Sequence, residues 1–169
     1  MDNQIRVVHI SVGDLYITDR PVNIITVVGS CLAVIMRVPR LSLAGMTHPI
    51  YPKLTSPDLD GLQCVDSAME RMLAKFISLG AALREIDVKI FGGSSTIVDA
   101  RRSSIDVGAL NTAAAREFIR TNGLCLSAHD TGGRTGRKVM LDVASGTVSV
   151  KMLAHAVVTP RETAARAAG

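Results

Sequence analysis

Four short apolar runs fill the first third of the chain, at residues 5–10, 24–28, 32–37 and 41–47. They are rich in Val and Ile and are punctuated by Pro21, Gly29, Pro39 and Pro49, which is the pattern of strands separated by tight connections. Connections this short cannot hold the crossover that parallel neighbours need, so the runs predict an antiparallel meander. Aromatic residues make up only 3% of the sequence and Trp is absent, so whatever core these strands build has to be aliphatic.

Helical spacing appears only after a loop at residues 51–61. Val65, Met69, Met72, Leu73, Phe76 and Leu79 recur at intervals of three and four, and Gly80 is placed to end that helix. Residues 86–91 read as a strand running into Gly92-Gly93-Ser94-Ser95. A second helix is predicted from about 109 to 121, packing Leu110, Ala114 and Phe118 and stopping at Gly123. Strand-like runs return at 124–129, 138–143 and 147–152, the last two joined by a hairpin at Ala144-Ser145-Gly146. The predicted class is α+β, one domain over residues 1–154, with a small, polar tail at 155–169 expected to fray.

Several functional classes fall away on composition. A hydrophobic fraction of 47% against 20% charge excludes a disordered chain. The formal charge of +4 is scattered, without a basic stripe or stacking aromatics, so nucleic acid is not expected as a partner. No apolar run reaches the ~20 residues of a spanning helix, so membrane insertion is not expected. The start, Met1-Asp2-Asn3-Gln4-Ile5-Arg6, does not read as a signal peptide, and a cytoplasmic location is expected. Cys31, Cys64 and Cys125 are an odd, widely spaced set, which argues against disulfides; zinc is disfavoured because no C-x-x-C or H-x-x-x-H spacing occurs.

Chemistry concentrates at Gly29-Ser30-Cys31, with His48 following 17 positions later. A thiolate is a nucleophile, and an imidazole beside it can accept its proton and return one to a departing amine. Gly29 removes bulk beside the sulfur and leaves backbone N–H groups free to bind an oxyanion. The same residues also fit a buried structural cysteine next to a packed histidine, since free Cys is among the most buried residue types. Gly92 and Gly93 divide similarly between oxyanion or substrate contacts and a plain tight turn.

Beyond residue types, the stretch Val27-Val28-Gly29-Ser30-Cys31-Leu32-Ala33-Val34, followed by Ala44-Gly45-Met46-Thr47-His48-Pro49-Ile50-Tyr51-Pro52, resembles the CheD family of chemoreceptor glutamine deamidases. The likeness continues through Phe91-Gly92-Gly93-Ser94-Ser95, Val107-Gly108-Ala109-Leu110-Asn111 and Asp130-Thr131-Gly132-Gly133, covering roughly residues 5–153 in order. The resemblance implies a layered α/β/β sandwich with a Cys-His-Thr constellation, no metal or organic cofactor, and methyl-accepting chemotaxis receptors as protein substrates. It also implies a CheC-type phosphatase as a further partner, and as the rival reading a catalytically weak module that only docks. Cys31 and His48 take the first two catalytic places, with Gly29, Ser30, Gly92 and Gly93 around the substrate. In the family a Thr can lie six residues before the Cys, where this chain has Ile25; Thr26 stands five before it and is the candidate third member. Leu110 stands where the family often carries Arg.

Overall fold

A computed structural model describes residues 5–95 and 105–154. Among these residues there are nine strands and two α-helices in the order β1 (Arg6–His9), β2 (Leu15–Thr18), β3 (Val22–Val28), β4 (Leu32–Val38), β5 (Leu43–Thr47), α1 (Val65–Ser78), β6 (Asp87–Gly92), α2 (Val107–Thr121), β7 (Cys125–Thr131), β8 (Arg137–Asp142) and β9 (Val148–Met152). The strands form a four-stranded sheet, β1-β3-β8-β9, and a five-stranded sheet, β2-β5-β4-β6-β7. Both sheets are mixed: β1 runs parallel to β3 and β6 to β7, and the other neighbours are antiparallel.

The layering follows from β4, whose buried side chains alternate between two cores. Leu32, Val34, Met36 and Val38 face the helices, packing with Met69, Met72 and Phe76 of α1 and Ala115 and Ile119 of α2. Ala33 and Ile35 point the other way, with Met46 and Phe91, against Ile24, Val28, Val139 and Leu141 of the four-stranded sheet. A strand covered on both faces has no polar side to show, which is why its sequence is apolar without a break. The order is helices, five-stranded sheet, four-stranded sheet. Each fully buried Ile, Leu, Met or Phe in these layers is worth about 1.5–3 kcal/mol, enough for an aliphatic core to hold without Trp.

The meander expected of the first third is not what forms. β3 and β4 lie in different sheets, and Gly29-Ser30-Cys31 is the crossover between them. The antiparallel partner of β4 is instead β5, reached by a 3₁₀ turn at Pro39–Leu41. β2 was not expected at all; it has four residues, each half-buried, and gives no strong alternation.

Helix α1 buries Val65, Ala68, Met69, Met72, Leu73 and Phe76, and Gly80 follows at φ +93°, as expected of a C-terminal glycine. Leu79 is exposed rather than part of that stripe. Helix α2 is rotated from the expected phase: Gly108, Asn111, Ala114, Ala115 and Ile119 face the sheet, while Leu110 is exposed. Cys64 is wholly buried and Cys125 is exposed. No helix among the described residues is long and apolar enough to cross a membrane. The tail at 155–169 lies outside the described residues.

Candidate active site

The crossover at Gly29-Ser30-Cys31 is held by all three of its carbonyl groups. Ser94 N–H donates to the Gly29 carbonyl at 2.9 Å and Gly93 N–H to that of Cys31 at 2.8 Å. The Asn111 side-chain amide donates to the Ser30 carbonyl at 2.9 Å. In a trans peptide the C=O of one residue and the N–H of the next point in opposite directions. Holding the Gly29 and Ser30 carbonyls toward β6 and α2 therefore turns the Ser30 and Cys31 N–H groups to the other side. Neither donates to another described residue.

His48 follows the last residue of β5, and its backbone is fixed by the turn before β2. His48 N–H donates to the Asp14 carbonyl at 3.2 Å, and Gly13 N–H donates to the His48 carbonyl at 2.9 Å. The two candidate loops meet directly, because Leu32 N–H, next to the cysteine, donates to the Pro49 carbonyl, next to the histidine, at 3.1 Å. The imidazole is almost completely buried, at 4% exposure.

Thr26 reaches this imidazole without a bulge. On β3, Ile24, Thr26 and Val28 share the face toward the other sheet, while Ile25, itself buried, and the exposed Val27 lie on the opposite face, and the register with β8 is unbroken. The Thr26 hydroxyl lies 2.8 Å from His48 Nδ1 and 2.9 Å from the Ile10 carbonyl. A carbonyl can only accept, so the single hydroxyl proton goes to Ile10. Oγ1 must then accept from Nδ1–H. This fixes the tautomer and leaves Nε2 with a bare lone pair. Nε2 is buried and has no hydrogen-bond partner among the described residues. Ile25, the place at which the resemblance puts a Thr, points away from His48.

Electrostatics keep the pair neutral at rest. Burial pushes the Cys31 thiol above its ordinary value, partly offset by its own backbone N–H. Burial lowers the His48 imidazole, with the Asp14 charge pulling modestly the other way. The resting form is thus thiol and imidazole, not thiolate and imidazolium, and no hydrogen bond joins Sγ to Nε2.

Gly92 and Gly93 serve the site differently from the expected oxyanion contact. Gly93 N–H is committed to the Cys31 carbonyl, so it is not a free donor. Both glycines have positive φ, +109° and +60°. A Cβ at Gly92 would strike the Cys31 carbonyl oxygen, and one at Gly93 the Thr112 hydroxyl, so close approach requires glycine at both. The Gly92 carbonyl is held by Gly132 N–H at 2.9 Å and by Arg137 Nη1 at 3.1 Å. The buried Arg137 also meets the Asp130 carboxylate at 3.1 Å, which ties the Asp130-Thr131-Gly132-Gly133 loop behind the clamp. Among the described residues no cluster of three His, Cys, Asp or Glu could hold a metal.

Two contributors were not legible as such beforehand, Asn111 and Arg137. Asn111 carried a signal, a lone amide in an otherwise apolar helical stripe; Arg137 carried none.

A model of the CheD family, described as chemotactic sensory transduction, matches residues 55–152. The probable chemoreceptor glutamine deamidase CheD of Oleidesulfovibrio alaskensis is 35% identical over 156 residues, covering 88% of this chain and 74% of that protein. The probable chemoreceptor glutamine deamidase CheD 2 of Geobacter sulfurreducens is 35% identical over 86% of this chain and 89% of its own length. That of Methanococcus vannielii is 32% identical over 86% and 94%. Spans this long necessarily include residues 26–48, which the family model does not reach. Among solved structures, the hypothetical protein YfiH of Bacillus licheniformis superposes with a TM-score of 0.49 at 14% identity, over 72% of this chain and 51% of that one.

Proposed function

This chain belongs to the CheD family, and from that premise we propose that it hydrolyses the side-chain amide of selected glutamines on chemoreceptors in the cytoplasm. The observation that carries the reading is the Thr26–His48 bond, which leaves His48 Nε2 as a bare base beside the Cys31 turn.

Cys31 Sγ attacks the glutamine Cδ while Nε2 takes the thiol proton. The carbonyl oxygen becomes an oxyanion facing the Ser30 and Cys31 N–H groups, the pair turned outward by the carbonyl clamp. Collapse of the tetrahedral adduct breaks the C–N bond, and His48 returns its proton to the leaving ammonia. The remaining thioester on Cys31 is attacked by water, whose proton passes to Nε2 and then to the departing thiolate. The product is glutamate. These steps call on no cofactor. On the receptor a neutral amide becomes a carboxylate, which adds repulsion along a helical bundle. A CheC-type phosphatase would bind the same face and compete with the receptor.

Peptide mass spectrometry of a purified receptor cytoplasmic fragment incubated with the chain tests this directly. Glutamine-to-glutamate conversion with matching ammonia is expected. Receptor binding without conversion would establish the docking-module reading instead.

A neutral pair also sets the pH response. Catalysis needs an unprotonated Nε2, and burial lowers the imidazole from its ordinary 6.5, so the acid limb of kcat/KM falls below that value. The thiol is raised from 9.0, so the alkaline limb lies above it, and the plateau spans neutrality. A measured acid limb at or above 6.5 would contradict the burial of His48.

A further inference from the structure

We infer that Asn111 is a positioning residue for the reaction, holding the oxyanion-binding peptide and the histidine loop in one fixed relation. The inference rests on the deamidase reading. Asn111 is wholly buried on the sheet-facing side of α2. Its amide nitrogen donates one proton to the Ser30 carbonyl and the other to the Ile50 carbonyl, both at 2.9 Å. The orientation of the amide is not in question, because two carbonyl oxygens can be faced only by a double donor. Among the described residues it is the only side chain that bonds to both the nucleophile turn and the loop after His48.

Each bond has a separate geometric consequence. The Ser30 carbonyl and the Cys31 N–H belong to one planar peptide, so fixing the first aims the second. Without Asn111 that peptide could rotate, and one of the two oxyanion donors would lose its direction. The Ile50 carbonyl lies two residues beyond His48, in a segment otherwise tied to the nucleophile strand by the Leu32–Pro49 backbone bond. Asn111 supplies a second tie and makes the spacing between sulfur and imidazole rigid.

The amide also carries a cost that a purely structural residue would avoid. Its Oδ1 is buried without a partner. An unpaired buried acceptor is destabilising, and an apolar residue at this helical position would remove it. Ala114, Ala115 and Ile119 on the same face show that apolar side chains fit there. What an apolar residue could not supply is two donors from one atom.

Asn111→Leu and Asn111→Asp separate these contributions. Leu has the same branching with no polar atoms, though it is bulkier; Asp has the same shape but turns acceptors toward both carbonyls. Asn111→Ala, which leaves room for water on the two carbonyls, covers failure of either to fold. Each is assayed for ammonia release from a receptor fragment, well below its own melting temperature, with circular dichroism as a check of folding. The expected result is a fall in kcat of about 100-fold, the scale of a misplacement of about 1 Å, with KM nearly unchanged. A loss confined to KM, or a folded variant with kcat within a few-fold of wild type, would overturn the role of Asn111 while leaving the deamidase reading intact. A wild-type chain that converts no receptor glutamine would overturn that reading, and this inference with it.

Discussion

Replacing Cys31 with alanine is expected to abolish ammonia release from receptor fragments and leave the fold unchanged. The side chain is half-buried and only skirts the core between the two sheets, so removing one sulfur atom should cost no more than about 1 kcal/mol. The backbone of the turn does not depend on it. Its three carbonyls are held by Ser94, Gly93 and Asn111, and none of those bonds involves the thiol. Turnover, by contrast, loses the atom that forms the thioester. Loss of a covalent nucleophile costs about 10⁴-fold or more, the remainder coming from oxyanion binding alone. The variant should still bind the receptor, which makes it useful for trapping the complex. Activity near wild type with an unchanged circular dichroism spectrum would remove Cys31 from the nucleophile role. Cys64 could not replace it, being wholly buried at the start of α1 on the helical side of the five-stranded sheet.

How much of this was legible in the sequence depends on whether a residue's neighbours along the chain are also its neighbours in space. Helix α1 could be read almost to the residue because its buried stripe is entirely apolar. Helix α2 was misphased because the stripe contains Asn111, while the exposed face contains Leu110. Hydropathy places a buried amide outside and an exposed leucine inside, and both errors rotate the helix in the same sense. The residue that defeated the pattern is also the one that bridges the Cys31 turn and the loop after His48. Violations of local pattern at functional positions are expected on general grounds.

Sheet partnership was the least legible feature. The apolar runs 24–28 and 32–37 announce strands, yet nothing in them says that the three residues between them change sheets. That change puts Cys31 at the junction of the two sheets, within reach of a loop from β5. Residue types alone left the cysteine and histidine open between a catalytic and a structural pair, and the family resemblance is what singled them out. The glycines at 92 and 93 were singled out for a different reason from the one the structure gives: the Gly93 N–H holds the Cys31 carbonyl, and the lack of side chains at both allows the close approach. Arg137 was out of reach, since its distant partner Gly92 meets it only once the strands have paired, and nothing local marks its bonds to Asp130 and Gly132.

Thr26→Val tests the remaining member of the site, and its consequences differ from those of an ordinary strand substitution. Valine keeps the β-branched shape and the strand preference, so β3 itself should form normally. Two buried groups lose their partner, however: the Ile10 carbonyl and His48 Nδ1–H. A loss of about 1–3 kcal/mol in stability is expected, visible as a lower melting temperature. The larger effect falls on turnover. With no acceptor at Nδ1, the imidazole is free to carry its proton on Nε2, and that tautomer has no lone pair for the thiol proton. A fall in kcat of about 100-fold or more is expected, the range of a lost general base. Thr26→Ser restores the hydroxyl and should recover most of the rate. Ile25→Thr should not raise it, because residue 25 lies on the face of β3 opposite Thr26 and a hydroxyl there points away from His48. Steady-state ammonia release by these three variants on one receptor fragment decides the matter: a Thr26→Val chain that turns over like wild type would mean that His48 is oriented by its backbone ties to Gly13 and Asp14 alone.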